Sequence, residues 1–234
     1  MKKTIYSFIA GLLLAVPVYA QTNKIEMITD SGRIVMMLYD NTPLNTNNMV
    51  KNAREHVYDS TLFHRVIPNF MIQGGDPTSK HAAPGQALGS GGLQFTVPAE
   101  INDSDIHKRG ALAVARDGNP AKAGSACQFY IVVGKKATDQ ELDNISARAG
   151  RKYTPQQKEL YKTIGGTPFL DGNYTVFGEV VEGMDVIDKI IMAARDGRDR
   201  PNNDIRIQSL HVLGDKEVKK KRKGFFSFLR RKDR

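Results

Sequence analysis

Short β-prone runs separated by turn-forming residues constrain the fold of this 234-residue chain more than any other feature. The runs are rich in branched and aromatic side chains, and Gly, Pro, Asn or Asp lies between most of them. They are Ile25–Thr29, Arg33–Tyr39, Thr61–Ile67, Phe70–Gln73, Leu93–Val97, Ala111–Ala115, Phe129–Val133, Thr175–Val181 and Ile205–Leu213. Because only two long helical patterns accompany them, we predict a β-barrel or β-sandwich and not a βαβ protein.

The two long helical patterns lie far apart in the chain. Thr46 is the candidate N-cap of the first helix, whose apolar residues at helical spacing are Val50, Ala53 and Val57. The second helix is predicted from Met184 to Ala194, and Gly197 is expected to stop it. Its apolar stripe consists of Met184, Ile187, Ile191 and Ala194.

Residues 135–166 do not fit the strand pattern, since they are polar and helix-prone. Thr138 with Glu141 forms one capping-box pattern, and Thr154 with Gln157 forms another. We therefore predict a helical hairpin inserted between two strands, over about residues 135–166.

The N-terminus has the composition of a secretory signal peptide. Lys2 and Lys3 precede an apolar stretch from Ile5 to Val18, and Val18-Tyr19-Ala20 places small residues at a cleavage site. An uncleaved membrane anchor is the alternative, but about 14 apolar residues are short for a bilayer span. Residues 1–20 are therefore interpreted as a signal peptide of an exported protein.

The net charge of +9 lies entirely at the two ends of the chain. Ten Lys/Arg and three Asp/Glu give residues 215–234 a net charge of +7, and Lys2 and Lys3 supply the other +2. Residues 21–214 are thus neutral overall, which argues against a nucleic-acid-binding domain. The basic tail also contains four large apolar side chains and is either a solvated terminus or a peripheral contact with anionic membrane: Phe225, Phe226, Phe228 and Leu229.

Cys127 is the only cysteine of the chain, so an intramolecular disulfide is impossible despite the export signal. It lies beside a strand-like run. A buried apolar role is favoured over a reactive thiol.

The stretch "FHRVIPNFMIQGGDP", residues 63–77, is among the most apolar in the chain, yet Arg65 stands in its middle. It closely resembles the signature of the cyclophilin-type peptidyl-prolyl cis-trans isomerases. Three further blocks continue the likeness in the family's order across residues 24–213: Ala111–Arg116, Cys127–Val133 and Phe169–Val180. The resemblance implies an all-β fold with a closed eight-stranded antiparallel β-barrel, capped by two α-helices, and an active site on its outer face. Residues 21–214 are interpreted as this isomerase domain.

The resemblance also implies roles for individual residues. Arg65 takes the place of the family's catalytic arginine. The implied substrate-binding residues are Phe70, Met71 and Tyr130 around the proline ring, Gln73 and Gln128 as hydrogen-bonding side chains, Ala115 and Arg116 through their backbones, and Phe169, Leu170 and Tyr174 along the far wall. Where many eukaryotic members carry tryptophan and histidine, this chain has Phe169 and Tyr174. Bacterial members share these changes, so activity is expected, with no cofactor and no metal.

The chemistry requires such residues on its own terms. An X–Pro bond rotates over a barrier of about 20 kcal/mol, because the nitrogen lone pair is delocalised into the carbonyl. A guanidinium can donate a hydrogen bond to that nitrogen once the amide is twisted and its lone pair is regained. This interaction favours the transition state over both ground states. Arginine suits the role because it stays charged and carries several fixed donors.

Each residue also has a structural interpretation. Arg65 alone could be an exposed strand residue or an ion-pair partner, and Phe70, Met71 and Tyr130 could be ordinary core residues. His64 is interpreted as structural, because this reaction moves no proton. The leading functional hypothesis is a prolyl isomerase that assists folding of exported polypeptides. The alternative is a proline-peptide binding module or holdase with little turnover.

Further expectations follow for partners and location. The partners are proline-containing polypeptides, a monomer is expected, and the location is the bacterial periplasm. The hairpin at 135–166 precedes Phe169 and is expected to overhang the substrate groove.

Overall fold

The computed structural model describes residues 24–214. The predicted signal peptide (1–20) and the basic tail (215–234) lie outside the described residues. The strands are β1 (Lys24–Thr29), β2 (Gly32–Leu38), β3 (Arg65–Ile67), β4 (Met71–Gly74), β5 (Thr96–Val97), β6 (Ala111–Val114), β7 (Gly124–Ser125), β8 (Phe129–Val132), β9 (Val176–Glu182) and β10 (Ile207–Val212). The α-helices of this part are α1 (Pro43–Arg54), α2 (Asp139–Ala149), α3 (Pro155–Thr163) and α4 (Met184–Ile191).

Eight strands form one curled antiparallel sheet in the order β10-β1-β2-β9-β6-β8-β4-β3, and β5 pairs separately with β7. The inner face of the curl carries the main core, which also takes up apolar side chains of α1 and α4. Each inner strand contributes alternate residues to this core, as the two-residue period of a strand requires. Examples are Val66, Ile72, Leu112, Val114, Phe129 and Ile131.

The predicted closed barrel is wrong, because the sheet is open between β3 and β10. Only Leu62 and Arg206 form a bridge across this seam. Backbone hydrogen bonds on either side hold it together, such as Phe63 N–H to Ile205 O at 2.9 Å. A ladder does not form, because β3 is only three residues long and begins after the bridge. The fold is therefore mostly β, with a curled half-barrel and α-helices.

Helix α1 begins at Pro43, three residues before the predicted N-cap Thr46. The reason is a remote carboxylate. Glu100 accepts hydrogen bonds from the backbone N–H groups of Leu44 and Asn45, each at 2.9 Å, and so satisfies orphan donors of the first turn. The Thr46 hydroxyl donates instead to the Tyr39 carbonyl at 2.7 Å.

Helix α4 ends at Ile191 and not at the predicted Ala194. Ile191 is also the last buried side chain of this segment, since Met192 and Ala194 are exposed. Without an apolar face to bury, the last predicted turn has no tertiary packing to stabilise it. No helix within residues 24–214 combines the length and apolar character needed to cross a bilayer.

The inserted helical hairpin is confirmed as α2 and α3, which lie within residues 135–166. Both predicted capping boxes form, at Thr138–Glu141 and at Thr154–Gln157. Leu142 and Tyr161 are its fully buried side chains, and they pack with Ile106 in a small cluster of their own. The insertion thus has a local core separate from that of the sheet.

The two ends of the insertion are joined at a narrow neck. Lys135 and Gly166 exchange backbone hydrogen bonds of 3.2 and 3.0 Å. Gly134, with φ +60°, packs so closely there that an added Cβ would lie closer than 3.0 Å to the Gly166 backbone. Only glycine fits this approach without strain.

Gly134→Ala is expected to destabilise the fold far more than Gly150→Ala. Both glycines have φ near +60°, but Gly150 has no atom within 4 Å of an added Cβ. Gly150→Ala should cost about 1–2 kcal/mol of unfolding free energy for the left-handed conformation alone. Gly134→Ala adds a backbone clash of about 1–3 kcal/mol. Urea unfolding of both variants measures the difference, and equal losses would contradict the close packing of the neck.

Candidate active site

The outer face of the sheet carries a second apolar cluster. It consists of the residues that alternate with the core residues on β4, β6 and β8, namely Met71, Ala111, Ala113, Tyr130 and Val132. Three alanines in and after β6, at positions 111, 113 and 115, keep this face shallow. The pleat therefore places an apolar surface outside the core, where a ligand can reach it.

Strand register aligns four residues in a row across this face. Arg65 on β3 pairs with Gln73 on β4, Gln73 pairs with Tyr130 on β8, and Tyr130 pairs with Ala113 on β6. A cation, an amide, an aromatic ring and a small side chain thus lie side by side.

The first three residues of this row line a groove with a volume of about 640 Å³. The groove is lined by ten of the eleven predicted site residues: Arg65, Phe70, Met71, Gln73, Ala115, Arg116, Gln128, Tyr130, Leu170 and Tyr174. The roles assigned to them remain predictions, but the structure brings their side chains together. The size suits a short peptide segment.

Phe169 is the predicted residue that does not line the groove. Its ring is 57 % exposed and stacks on Phe70, with centroids 5.8 Å apart and planes 29° apart. The Arg65 guanidinium carbon lies 5.9 Å from the Phe70 ring on the groove side. Phe70 therefore links the cation to an exposed apolar rim.

Arg65 is exposed, and its guanidinium has no hydrogen bond or ion pair with any residue in the described range 24–214. Arg116, the second arginine of the groove, already uses two of its five N–H donors. It donates to the carbonyls of Asn173 at 2.9 Å and Asp117 at 3.1 Å, and it lies 4.6 Å above the Tyr174 ring. Arg65 is thus the groove arginine that has none of its donors used by the described residues.

The two predicted glutamines also differ in how many of their side-chain hydrogen-bonding groups are already used. Gln128 donates both amide hydrogens, to Gly89 O at 2.9 Å and Gly91 O at 2.6 Å, and it accepts from Gln73 Nε2 at 3.0 Å. Its side chain is therefore locked by the segment 89–91. Gln73 keeps its carbonyl oxygen and one N–H for other partners.

The predicted backbone role of Ala115 is only partly compatible with the structure. Its N–H already donates to Gln128 O at 3.1 Å, so it is not offered to a substrate. Its carbonyl accepts from Ser125 N–H at 2.8 Å and retains one lone pair. The Ala115 N–H and carbonyl thus bond to neighbouring backbone segments at Gln128 and Ser125. The sequence pattern did not indicate these bonds.

A buried carboxylate anchors the segment 89–91. Asp76 is fully buried and accepts from the backbone N–H groups of Gly89 at 2.6 Å and Gly91 at 3.2 Å. It also accepts from the N–H and hydroxyl of Thr78, at 2.8 and 2.7 Å. Burial by itself would raise the pKa of Asp76, but these hydrogen bonds outweigh it and hold the pKa below its ordinary value.

A second buried network lies behind the Tyr130 ring and was not foreseen. His107 Nε2 lies 2.9 Å from the Tyr130 hydroxyl, and His107 Nδ1 lies 2.7 Å from Asp171 Oδ1. Asp171 Oδ2 accepts from the Tyr161 hydroxyl at 2.6 Å, and it shares the single hydrogen of the Tyr153 hydroxyl, at 3.0 Å, with Pro168 O at 2.9 Å. No short-range motif joins these residues, because they come from four separate segments.

Most of the other groove residues that the sequence did not single out are small or polar, and Leu93 and Phe95 are the apolar exceptions. Together these other groove residues are Gly89, Ser90, Gly91, Gly92, Leu93, Phe95, Thr96, Asp117, Asn119, Ala123 and Ser125. The run of glycines at 89–92 is the one signal that could have found them, because it marks a segment whose backbone is approached closely.

His64 and Cys127 agree with the structural interpretations. His64 is 4 % exposed, neither ring nitrogen makes a well-formed hydrogen bond within the described residues, and burial lowers its pKa. Cys127 is 2 % exposed, and burial raises the pKa of its thiol. Within residues 24–214, no three His, Cys, Asp or Glu side chains cluster as metal ligands would.

Comparison with known proteins identifies the family. The family model described as cyclophilin type peptidyl-prolyl cis-trans isomerase/CLD matches residues 24–212. The chain belongs to the cyclophilin family. A "putative peptidyl-prolyl cis-trans isomerase" of Staphylococcus aureus is 33 % identical over 190 residues, which cover 81 % of this chain and 91 % of that protein.

Two further comparisons place this cyclophilin among its relatives. A "putative bifunctional phosphatase/peptidyl-prolyl cis-trans isomerase" of Streptococcus pyogenes is 35 % identical over 81 % of this chain and 38 % of that longer protein. A crystal structure of a Cryptosporidium parvum cyclophilin has a TM-score of 0.59 at 23 % identity, covering 82 % of this chain and 97 % of that one. That protein was also solved in the presence of the dipeptide Ala-Pro. At this identity the likeness concerns the fold.

Asp76→Asn is expected to lower the unfolding free energy of this cyclophilin by about 2–3 kcal/mol, because an amide NH₂ would face buried N–H donors. The folded carboxyl has the lower pKa, so its contribution is complete above the ordinary value of 3.8 and is lost as pH falls through the folded pKa. The gap between wild type and variant should therefore narrow as the pH falls below about 4.

Urea unfolding above and below this pH provides the measurement. Asp143→Asn is the control, because Asp143 pairs with Lys158 at the surface and should cost less than about 1 kcal/mol. A gap that widens on acidification would contradict the role given to Asp76.

Proposed function

We propose that this cyclophilin accelerates rotation about X–Pro bonds in exported polypeptides and so assists their folding. The observation that carries the proposal is the guanidinium of Arg65, which has no hydrogen-bond or ion-pair partner among residues 24–214 and lies beside a groove with an apolar floor. Relatives whose names describe prolyl isomerases, and a related structure solved with Ala-Pro, support the choice of substrate.

The proline ring would lie against the apolar outer cluster. Met71 and Tyr130 form the floor of the groove, and Phe70 and Leu170 flank it. This surface excludes water from one side of the imide, and a lower local dielectric strengthens any hydrogen bond made there.

Arg65 would act on the imide nitrogen. In the planar ground state this nitrogen is a poor acceptor, and in the twisted state it regains its lone pair. The Arg65 guanidinium has no partner among the described residues that it must first release. It can therefore donate to the imide nitrogen as the bond twists. The interaction therefore lowers the barrier without stabilising the cis or trans state to the same extent. A rate gain of about 10⁵ corresponds to about 7 kcal/mol.

Gln73 would orient the substrate or the arginine, and Gln128 would support Gln73. These different roles follow from the hydrogen bonds of the two side chains, because Gln128 already donates both amide hydrogens to Gly89 and Gly91. Gln73 retains free donor and acceptor capacity and pairs in register with Arg65.

Arg65→Ala is expected to lower kcat/KM for a proline peptide by about 10²–10³-fold, as for loss of one transition-state donor. KM should change little, because the donor acts on the twisted state. Arg65→Lys should recover only part of the loss, since an ammonium lacks the planar fork. Exchange NMR of the cis and trans peptide signals measures the rate directly.

Arg148→Ala is the matched control, because Arg148 is an exposed arginine on α2 away from the groove. It should leave the rate unchanged. An Arg65→Ala variant that keeps the wild-type rate while binding the peptide would favour the binding module or holdase.

Export and membrane contact form a further part of the proposal. The signal-like residues 1–20 support export, and the bacterial relatives support a bacterial source. The tail, residues 215–234, combines a net charge of +7 with three phenylalanines, a composition suited to an anionic membrane surface. We propose that the tail holds the isomerase domain near that surface.

Removal of residues 215–234 is expected to abolish sedimentation of the protein, beginning at residue 21, with anionic liposomes, because the remaining chain is neutral overall. Neutral liposomes are the control for charge. A triple variant, Phe225→Ser with Phe226→Ser and Phe228→Ser, keeps the charge and tests the apolar contribution. Equal sedimentation of the full and shortened chains would refute the membrane contact.

A further inference from the structure

The inserted hairpin does not overhang the groove as expected from the sequence. No residue between 135 and 166 lines the groove within the described part of the chain. The insertion packs behind the far wall instead, where α2 contacts the turn Pro168–Leu170 that carries two predicted site residues. Its connection to the site must therefore pass through buried side chains.

Two tyrosines of the insertion make that connection. The hydroxyls of Tyr153 and Tyr161 both contact Asp171 Oδ2, and both side chains are buried. Burial raises the pKa of each tyrosine, so both remain O–H donors. Asp171 is itself 3 % exposed, and a buried carboxylate requires such donors.

The hydrogen bonds around Asp171 determine which ring nitrogen of His107 carries a proton. A carboxylate only accepts hydrogen bonds, so His107 Nδ1 must carry the proton in its 2.7 Å contact with Asp171. In the neutral imidazole, Nε2 is then the acceptor, and the Tyr130 hydroxyl donates to it across 2.9 Å. The His107 backbone N–H also donates to Asp171, at 2.8 Å, which fixes the ring from both sides.

Two neighbouring rings, those of His107 and Tyr174, also lie against the Tyr130 ring. The His107 and Tyr130 rings are nearly parallel, with centroids 6.1 Å apart and planes 12° apart. Tyr174 meets both rings edge-on, at 6.3 Å from His107 and 5.9 Å from Tyr130. The hydroxyl contact is the one polar restraint among these, so it sets the position of the ring along the groove.

We propose that Tyr161 and Tyr153 are positioning residues, which act through Asp171 and His107 to hold the Tyr130 ring where the substrate proline must lie. The insertion is then a support for the active site, built behind the groove. This inference rests on the proposed function for its substrate. Tyr161 is the stronger of the two contacts, at 2.6 Å against 3.0 Å for Tyr153.

A double-mutant cycle between Tyr161→Phe and Tyr130→Phe tests the proposal. Each substitution removes one hydroxyl and keeps the ring. Tyr161→Phe should lower kcat/KM by about fivefold in the wild-type background and by less than about twofold in the Tyr130→Phe background. Tyr153→Phe should show the same pattern with a smaller loss. Both kcat/KM and the Kd of a proline peptide are measured for all variants.

The control is Tyr58→Phe, which removes another buried hydroxyl, in contact with Asn52 at 3.3 Å in the main core. It should cost stability in urea without changing kcat/KM. Nitrogen-15 NMR of the His107 ring should find the Nδ1–H tautomer in the wild type.

Equal losses from Tyr161→Phe in both backgrounds, or no loss in either, would overturn the positioning role while leaving the isomerase function intact. An Nε2–H tautomer of neutral His107 would also overturn it. If wild type bound the peptide without turnover, the proposed function would fail. The Kd values of the same cycle would then still decide whether Tyr161 acts through Tyr130.

Discussion

The alternation of side chains along three short strands is the constraint on which the rest of the molecule depends. Residues 72, 112, 129 and 131 fill the interior of the curled sheet, and their neighbours 71 and 130 form the floor of the groove outside it. A shift of register by one residue would exchange the two sets. The same packing energy that stabilises the fold therefore also fixes which side chains a substrate meets.

Two buried carboxylates support the groove from behind, one at each end. Asp76 accepts four hydrogen bonds and holds the segment 89–91, which in turn locks Gln128. Asp171 also accepts four and holds His107, which contacts Tyr130. An ionised carboxylate in the interior is costly unless fully hydrogen-bonded, so each one imposes a single arrangement on the groups around it.

Much of this architecture could be predicted from local patterns. Nine of the ten described strands and both capping boxes follow from rules that act within a few residues and overlap the predicted segments, whereas β7 was not predicted. The predictions that were wrong concern contacts between residues that lie far apart in the sequence. Glu100 moved the start of α1 from Thr46 to Pro43, and the short β3 left the sheet open. The Tyr130–His107–Asp171 network joins segments up to 64 residues apart, which no local rule detects.

The contrast between the two groove arginines shows why position matters more than residue type. Arg116 donates to two carbonyls and lies over an aromatic face, so part of its hydrogen-bonding capacity and its position are already set by the fold. Arg65 lies on a strand whose other face is in the core, beside Phe70, and its guanidinium makes no hydrogen bond or ion pair with a residue in the described range. Its donors are therefore not used by the fold. That is the state in which a hydrogen bond can be reserved for a nitrogen that becomes basic only halfway through a rotation.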